Sequence, residues 1–316
     1  MADWSSGIWS RRAYARVVLA GVACGLVLVG WVIDGRASDA TAFGAGTPLT
    51  VSLPGRVFVL CGRDERSTDV YELTADRLRR RTQSAPDGVV DNFAVAGARI
   101  ALVGSGATMD EIRVGQLGQG LVRTHRVADG QGVALKADGT IAWDVTTSQH
   151  GGLVSAVWIK RPGRSARRVA TYASVWGLSY ATGRLDVVAA SRKKFRIVRG
   201  VGERTVTSRR LLTDRPTRVI SSRSGRIAYN GGDSRHRRLR VTGTDAQHPK
   251  SFAVDWYPLA WSPDERQLLV GAIGEHSALG LMNPSTGEIS SLGTLECGGV
   301  ALAQWMATQP AAPTRR

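Results

Sequence analysis

Short apolar runs separated by turn residues fill the chain beyond residue 50, and they recur with a nearly constant period. Each copy has a small or turn residue, then usually an arginine, then a short and mostly apolar run. The six copies start at Gly55, Ala98, Gly139, Gly183, Gly225 and Glu265. Successive starts lie 43, 41, 44, 42 and 40 residues apart. Such regular spacing indicates a repeated supersecondary unit.

The neighbours of each copy complete the unit. In the third copy an apolar stretch and a tight turn lie at 132–139, and two alternating segments follow at 156–160 and 167–170. Short segments rich in Val and Ile and bounded by Gly, Pro and Asp are typical of β-strands. Four strands in about 42 residues is the size of a propeller blade. We therefore predict an all-β fold, a six-bladed β-propeller with four-stranded blades, over residues 51–306.

The two ends of the repeat region predict how the ring closes. The first copy has no inner strand before it, whereas residues 300–305 form one more apolar strand after the sixth copy. We expect this C-terminal strand to complete the first blade, because closure removes the open sheet edges. Cys61 ends the second strand of that blade, and Cys297 precedes the closing strand. In an exported chain these two cysteines favour a disulfide, with two separate buried thiols as the alternative.

One copy also resembles a known repeat. Residues 259–269 read LAWSPDERQLL. This segment resembles the WD40-like repeat of TolB-type propellers, in which an apolar strand leads into Trp-Ser-Pro-Asp-Gly and then a second strand. Glu265 stands where that repeat has glycine. The resemblance implies the propeller fold, and it implies the role of a periplasmic or cell-surface binding platform or of a hydrolase-associated propeller, without naming a ligand.

The N-terminal residues predict where the propeller resides. Residues 17–33 form an uncharged apolar segment, which as a helix can cross a bilayer core of about 30 Å. Arginines at 11, 12 and 16 precede it, so the positive-inside rule keeps the N-terminus in the cytoplasm. We predict cytoplasmic residues 1–16, a single-pass signal-anchor helix at 17–33, a linker at 34–50, an extracytoplasmic propeller and a disordered tail at 307–316. A cleaved signal peptide, including one for twin-arginine export, and a buried core helix are the alternatives.

Charge then indicates a class of partner. The formal net charge is +16, which attracts polyanions. Outside the cytoplasm the membrane surface and acidic envelope polymers are the available polyanions, so we do not expect nucleic acid to be the partner. Many basic residues fall on the predicted outer strands, where they would form a basic rim. This rim comprises Arg79, Arg80, Arg81, Arg167, Arg168, Arg209, Arg210, Arg237 and Arg238. Solvated strand faces are the alternative interpretation.

Acidic residues show a different pattern, because they fall near the predicted connections between one blade and the next. In a propeller these connections converge on one mouth of the central channel. The candidate residues at this mouth are Asp91, Asp129, Asp214, Asp255 and Glu296, with Trp176 and Tyr257 beginning inner strands beside them. We expect the mouth to bind a cation or a basic partner. Simple turn formation by Asp and core packing by the aromatic residues are the alternatives.

Motifs that carry chemistry are missing from the sequence. The five histidines are scattered, and we find no nucleophile elbow, P-loop or Cys-x-x-Cys. We therefore predict no cofactor and no metal, and we expect an extracytoplasmic binding or scaffolding module for envelope proteins or polymers. A propeller hydrolase or lyase with dispersed catalytic residues, and an accessory or sensor subunit of a membrane complex, remain alternatives.

Overall fold

A computed structural model describes most of the repeat region. It covers residues 40–42, 53–64, 67–74, 77–82, 89–105, 110–119, 121–127, 130–149, 152–191, 194–211, 216, 218–231, 238–244, 248–272, 277–295 and 300–307. The predicted anchor at 17–33 lies outside these ranges. None of the described residues belongs to a helix that is long and apolar enough to cross a bilayer.

The first three blades follow one another along the chain as antiparallel sheets. Blade one contains β1 (Ala40–Ala42), β2 (Arg56–Asp64), β3 (Ser67–Leu73) and β4 (Arg77–Arg80). Blade two contains β5 (Val89–Ala96), β6 (Arg99–Ser105), β7 (Asp110–Gln116) and β8 (Leu121–Val127). Blade three contains β9 (Gly130–Leu135), β10 (Ile141–Gln149), β11 (Gly152–Lys160) and β12 (Arg167–Tyr172).

The next three blades repeat the same order. Blade four contains β13 (Ser174–Ser179), β14 (Asp186–Ser191), β15 (Lys194–Arg199) and β16 (Thr207–Arg210). Blade five contains β17 (Val219–Ser221), β18 (Ile227–Gly231), β19 (Arg238–Val241) and β20 (Lys250–Phe252). Blade six contains β21 (Trp256–Trp261), β22 (Leu268–Ala272), β23 (Ser277–Met282) and β24 (Ile289–Leu295), and the last strand is β25 (Val300–Met306). The predicted all-β fold with six four-stranded blades is confirmed.

The C-terminal strand closes the ring as the sequence predicts. β25 pairs with β2 and so supplies the inner strand of blade one. The Trp305 indole Nε1 donates a hydrogen bond to the Pro54 carbonyl (2.7 Å), which fastens the end of β25 to the chain before β2. Cys61 is buried on β2, whereas Cys297 lies outside the described residues, so their pairing stays a prediction.

A fifth strand at the outer edge of blade one was not expected from the sequence. β1 pairs antiparallel with β4, with Thr41 opposite Leu78. Its residues fall within the predicted linker at 34–50. The chain therefore joins the propeller at the outer edge of blade one.

The apolar core lies between the blades, as one cluster at each of the six junctions. Each cluster combines side chains from the facing sides of two neighbouring blades; for example, Ile159 of blade three packs with Val187 and Val198 of blade four. The other five clusters join blades one and two, two and three, four and five, five and six, and six and one. The cluster between blades six and one shows that the ring is closed by packing as well as by strand pairing.

The arginine that recurs in the repeat helps to connect neighbouring blades. In blade five, Arg226 donates to the Glu265 carbonyl of blade six (3.1 Å), and its guanidinium lies 4.7 Å from the centre of the Trp261 ring. The carboxylate of Glu265 accepts hydrogen bonds from the Ser224 backbone N–H (2.6 Å) and hydroxyl (2.5 Å). Glu265 itself has a left-handed φ of 58°, at the position where the TolB-type repeat has glycine. The contact with blade five therefore accompanies a backbone conformation that is unusual for a side chain other than glycine.

Candidate functional site

The six inner strands define one end of the ring as the candidate site. Consecutive inner strands (β25, β5, β9, β13, β17 and β21) touch one another around the channel. Because every blade is antiparallel, each connection from an outer strand to the next inner strand lies at the same end of the ring. We call this end the channel-mouth end. The inner strands begin there, so residues near their starts are the ones that can reach a ligand at the mouth.

Two predicted site residues, Asp91 and Trp176, occupy equivalent β-bulges near the starts of inner strands. The pairing of β5 with β6 shifts between Val90 and Asn92, and that of β13 with β14 shifts between Val175 and Gly177. A bulge leaves one residue without a partner in the ladder and redirects its side chain. Asp91 and Trp176 are both exposed. A carboxylate in blade two and an indole in blade four are thus presented at the same level of the channel-mouth end.

The indole of Trp176 is fixed in position although 40% of the residue is exposed. Its Nε1 donates to the Ser174 hydroxyl (2.9 Å), and its ring contacts the Phe195 ring edge-on, with centroids 5.3 Å apart. A large apolar side chain on the surface of a propeller is a common kind of contact point, because an ordered aromatic ring binds with little entropy loss. Trp176 can therefore provide an apolar or cation–π contact.

Tyr257 has a different environment, because it joins three blades. Its hydroxyl donates to the Val300 carbonyl at the start of β25 (2.9 Å), and the Arg218 guanidinium of blade five lies 4.5 Å from its ring centre. Gly271 lies beneath the ring, where a Cβ would come within 2.7 Å of it. Burial raises the pKa of Tyr257 and lowers the pKa of Arg218. Tyr257 therefore supports the ring at its closure, next to the exposed Asp255.

The remaining predicted residues of the mouth lie outside the described part of the chain; these are Asp129, Asp214 and Glu296. Of the described ones, the three exposed residues Asp91, Trp176 and Asp255 lie at inner strands of blades two, four and six. They are thus distributed around the mouth on alternate blades. The bulges that present Asp91 and Trp176 were missed by the sequence analysis, since a bulge leaves the apolar pattern of a short strand almost unchanged.

The predicted basic rim divides into two kinds of residue. In blade one, Arg80 pairs with the buried Asp69, and Arg81 pairs with Glu72. Burial alone would raise the pKa of Glu72, but hydrogen bonds from Arg56 and Arg81 outweigh burial and lower it. The rim arginines outside these two ion pairs are exposed, namely Arg79, Arg167, Arg168, Arg209, Arg210 and Arg238; Arg237 lies outside the described residues.

A small cavity lies at the opposite end of the ring, between blades three and four. Its volume is about 310 Å³, and its lining includes Lys136, Arg161, Tyr180 and Glu203. The Lys136 ammonium lies 4.8 Å from the centre of the Tyr180 ring, so this lysine already has a cation–π partner. Among the described residues, no group of three or more His, Cys, Asp or Glu side chains could hold a metal ion.

Similar solved structures support the fold and only the fold. No protein-family model and no curated protein sequence match the chain. TolB from Acinetobacter baumannii superposes with a TM-score of 0.64 at 15% identity, covering 80% of this chain and 67% of TolB. A chain of a nidogen/laminin complex superposes with a TM-score of 0.58 at 14% identity, covering 79% of this chain and 97% of its own length. The protein therefore has a TolB-like six-bladed propeller fold, as the resemblance at residues 259–269 implies.

Proposed function

We propose that this chain is an extracytoplasmic, membrane-tethered propeller that acts as a binding or scaffolding module for a partner in the cell envelope. The observation that carries the proposal is the exposure of Asp91 and Trp176 at equivalent inner-strand bulges. An ordered indole together with the carboxylates of Asp91 and Asp255 favours a segment of protein that carries Lys or Arg. One of the two similar structures is a complex of nidogen with laminin, which supports a binding role by analogy of fold alone.

The location in the envelope is part of the same proposal. It is supported by the uncharged segment at 17–33 and the arginines before it.

A disulfide between Cys61 and Cys297 completes the proposed extracytoplasmic form. Cys61 is buried. β2 places it opposite Val300, and Cys297 is three residues upstream of Val300 in the sequence. This short separation supports the pairing. A disulfide at this place would lock the closing strand to blade one in an oxidising compartment.

In-cell crosslinking of the tagged full-length chain, followed by mass spectrometry, tests the binding role. We expect reproducible capture of an envelope protein, with capture lost in Asp91→Asn and Trp176→Ala. Val206→Ala is the matched control, because Val206 is 50% exposed and precedes β16 at the opposite end of blade four. Capture that is unchanged in the two site variants, or lost equally in the control, would contradict the proposal.

A further inference from the structure

The positive charge of the chain is concentrated in two adjacent blades. Residues 130–211, which form blades three and four, contain fifteen basic and four acidic residues. They therefore carry +11 of the net +16. So uneven a distribution creates a local field that a uniformly basic surface would not. A ligand can bind only those cations that are exposed and that are not already paired.

Three of them lie on one face of blade four. Side chains alternate along a strand, so Lys194 and Arg196 lie on the same face of β15 as Val198, which packs against blade three. Phe195 and Ile197 alternate with them and pack towards blade five. Arg210 on β16 is directly opposite Arg196. Lys194, Arg196 and Arg210 are all exposed, and all three are on the side of blade four that faces blade three.

The facing side of blade three contributes a fourth cation. Arg167 on β12 is opposite Ile159, whose side chain packs against blade four. Its guanidinium donates to the Gly202 carbonyl of blade four (3.3 Å), which places it at the junction of the two blades. We define Arg167, Lys194, Arg196 and Arg210 as the basic groove, lying between the outer strands of blades three and four.

Acidic residues of these two blades do not neutralise the groove, because all four are engaged elsewhere. Asp138 accepts from the Thr140 N–H (2.7 Å), and the buried Asp144 accepts from the Gly132 N–H (2.9 Å). Asp186 lies beside Arg199 on the face towards blade five, with Nε and Oδ2 3.7 Å apart, and Glu203 pairs with Arg184 at 2.7 Å.

Like charges directly opposite each other on neighbouring strands destabilise a sheet. Arg196 and Arg210 have this arrangement, and no described acidic residue forms an ion pair with either of them. An anion bound between the two guanidiniums would remove the repulsion. Additional cations on both sides of the pair extend the site along the groove, which suits a chain of repeated anionic groups better than a single ion.

We propose that the basic groove binds an anionic polymer with repeated phosphate or carboxylate groups. The choice of a polymer over a membrane surface follows from the position of the cations. They lie on the facing sides of two neighbouring blades, where a single extended chain can reach them, whereas a bilayer surface contacts only the outer edges of the blades. This inference rests on the proposed envelope location. It concerns the side of blade four that faces blade three, whereas the Trp176 ring contacts Phe195 on the side that faces blade five.

Polyphosphate binding to the full-length chain in detergent micelles, measured over a range of NaCl concentrations, tests the groove. Arg196→Gln with Arg210→Gln removes two charges from the groove. Arg79→Gln with Arg238→Gln removes two exposed rim charges from other blades and is the matched control. The groove variant should bind about thirtyfold more weakly, and its plot of log affinity against log salt should be shallower by about 1.4. The control should change affinity by less than about twofold.

Three results would overturn the proposal that the basic groove binds an anionic polymer. Equal weakening of both variants would show that net charge alone binds polyphosphate. Tight binding to phosphatidylglycerol vesicles together with none to polyphosphate would assign the groove to a lipid surface. A lower melting temperature of the groove variant would show that the pair stabilises the fold, since relief of repulsion should leave it unchanged or higher. Partner capture at the channel-mouth end should persist in the groove variant, so the two proposals fail independently.

Discussion

Substitution of Glu265 measures how strongly blades five and six depend on each other. The carboxylate of Glu265 accepts two hydrogen bonds from Ser224, whereas its left-handed φ disfavours any side chain. Hydrogen bonds to a charged group are worth about 1.5–3 kcal/mol each when shielded. Since these bonds lie near solvent, we assign the pair about 1–2 kcal/mol together. The left-handed conformation costs about 1 kcal/mol relative to glycine.

These two terms predict an order of stability for variants at this position. Glu265→Ala loses the hydrogen bonds and keeps the backbone strain, so its free energy of unfolding should fall by about 1–2 kcal/mol. Glu265→Gly loses the same bonds but relieves the strain, and it should be more stable than the alanine variant by about 1 kcal/mol. Denaturant unfolding followed by tryptophan fluorescence measures both. Equal stability of the alanine and glycine variants would refute the strain term, and an alanine variant as stable as the native chain would refute the hydrogen-bond term.

Three further predictions concern titration and closure. Burial raises the pKa of Asp186 from 3.8 to about 6, so the native state binds the proton more tightly than the unfolded state does. The free energy of unfolding should therefore fall by about 2–3 kcal/mol as pH rises from 4 to 7. Unfolding measured across this pH range should show a flatter dependence in Asp186→Asn, and an unchanged slope in that variant would contradict the prediction. Trp305→Phe removes the hydrogen bond to Pro54 and should lower the free energy of unfolding by about 1 kcal/mol. Amide hydrogen exchange should become faster in β25 than in β10, which lies in blade three. Non-reducing peptide mapping should recover Cys61 linked to Cys297, whereas two free thiols would exclude the pairing.

The sequence predicts the architecture well because a propeller is a repeated pattern. Six evenly spaced apolar runs specify six blades, and the surplus strand at 300–305 specifies the closure that β25 makes. Each blade needs only short alternating strands and tight turns, both of which are visible locally. β1 could not be predicted, since three residues of Ala and Thr carry no alternation and pair only because β4 offers an open edge.

The candidate site is less predictable because it depends on contacts between blades. The sequence placed Asp91 and Trp176 near inner strands, but the bulges that expose them arise from one extra residue in a ladder. Tyr257 also begins an inner strand, yet its partners, Arg218 and Val300, come from two other blades. Neither kind of contact leaves a signal in the local pattern.

The basic residues illustrate the same limit. The run of arginines in blade one does not differ in sequence from the other basic runs. In the structure, however, Arg80 and Arg81 form ion pairs with Asp69 and Glu72. Arg196 and Arg210 are fourteen positions apart, and only the register of β15 with β16 makes them neighbours. Which charges remain available is therefore a property of strand pairing.

Site-specific photocrosslinking in cells tests the central claim, that the channel-mouth end binds a partner. The photoreactive residue p-benzoylphenylalanine replaces Trp176 in the full-length chain, and in a second strain it replaces Val206 at the opposite end. The proposed function predicts a discrete crosslinked protein from position 176 and none from position 206. No adduct at 176, or the same adducts at both positions, would contradict it.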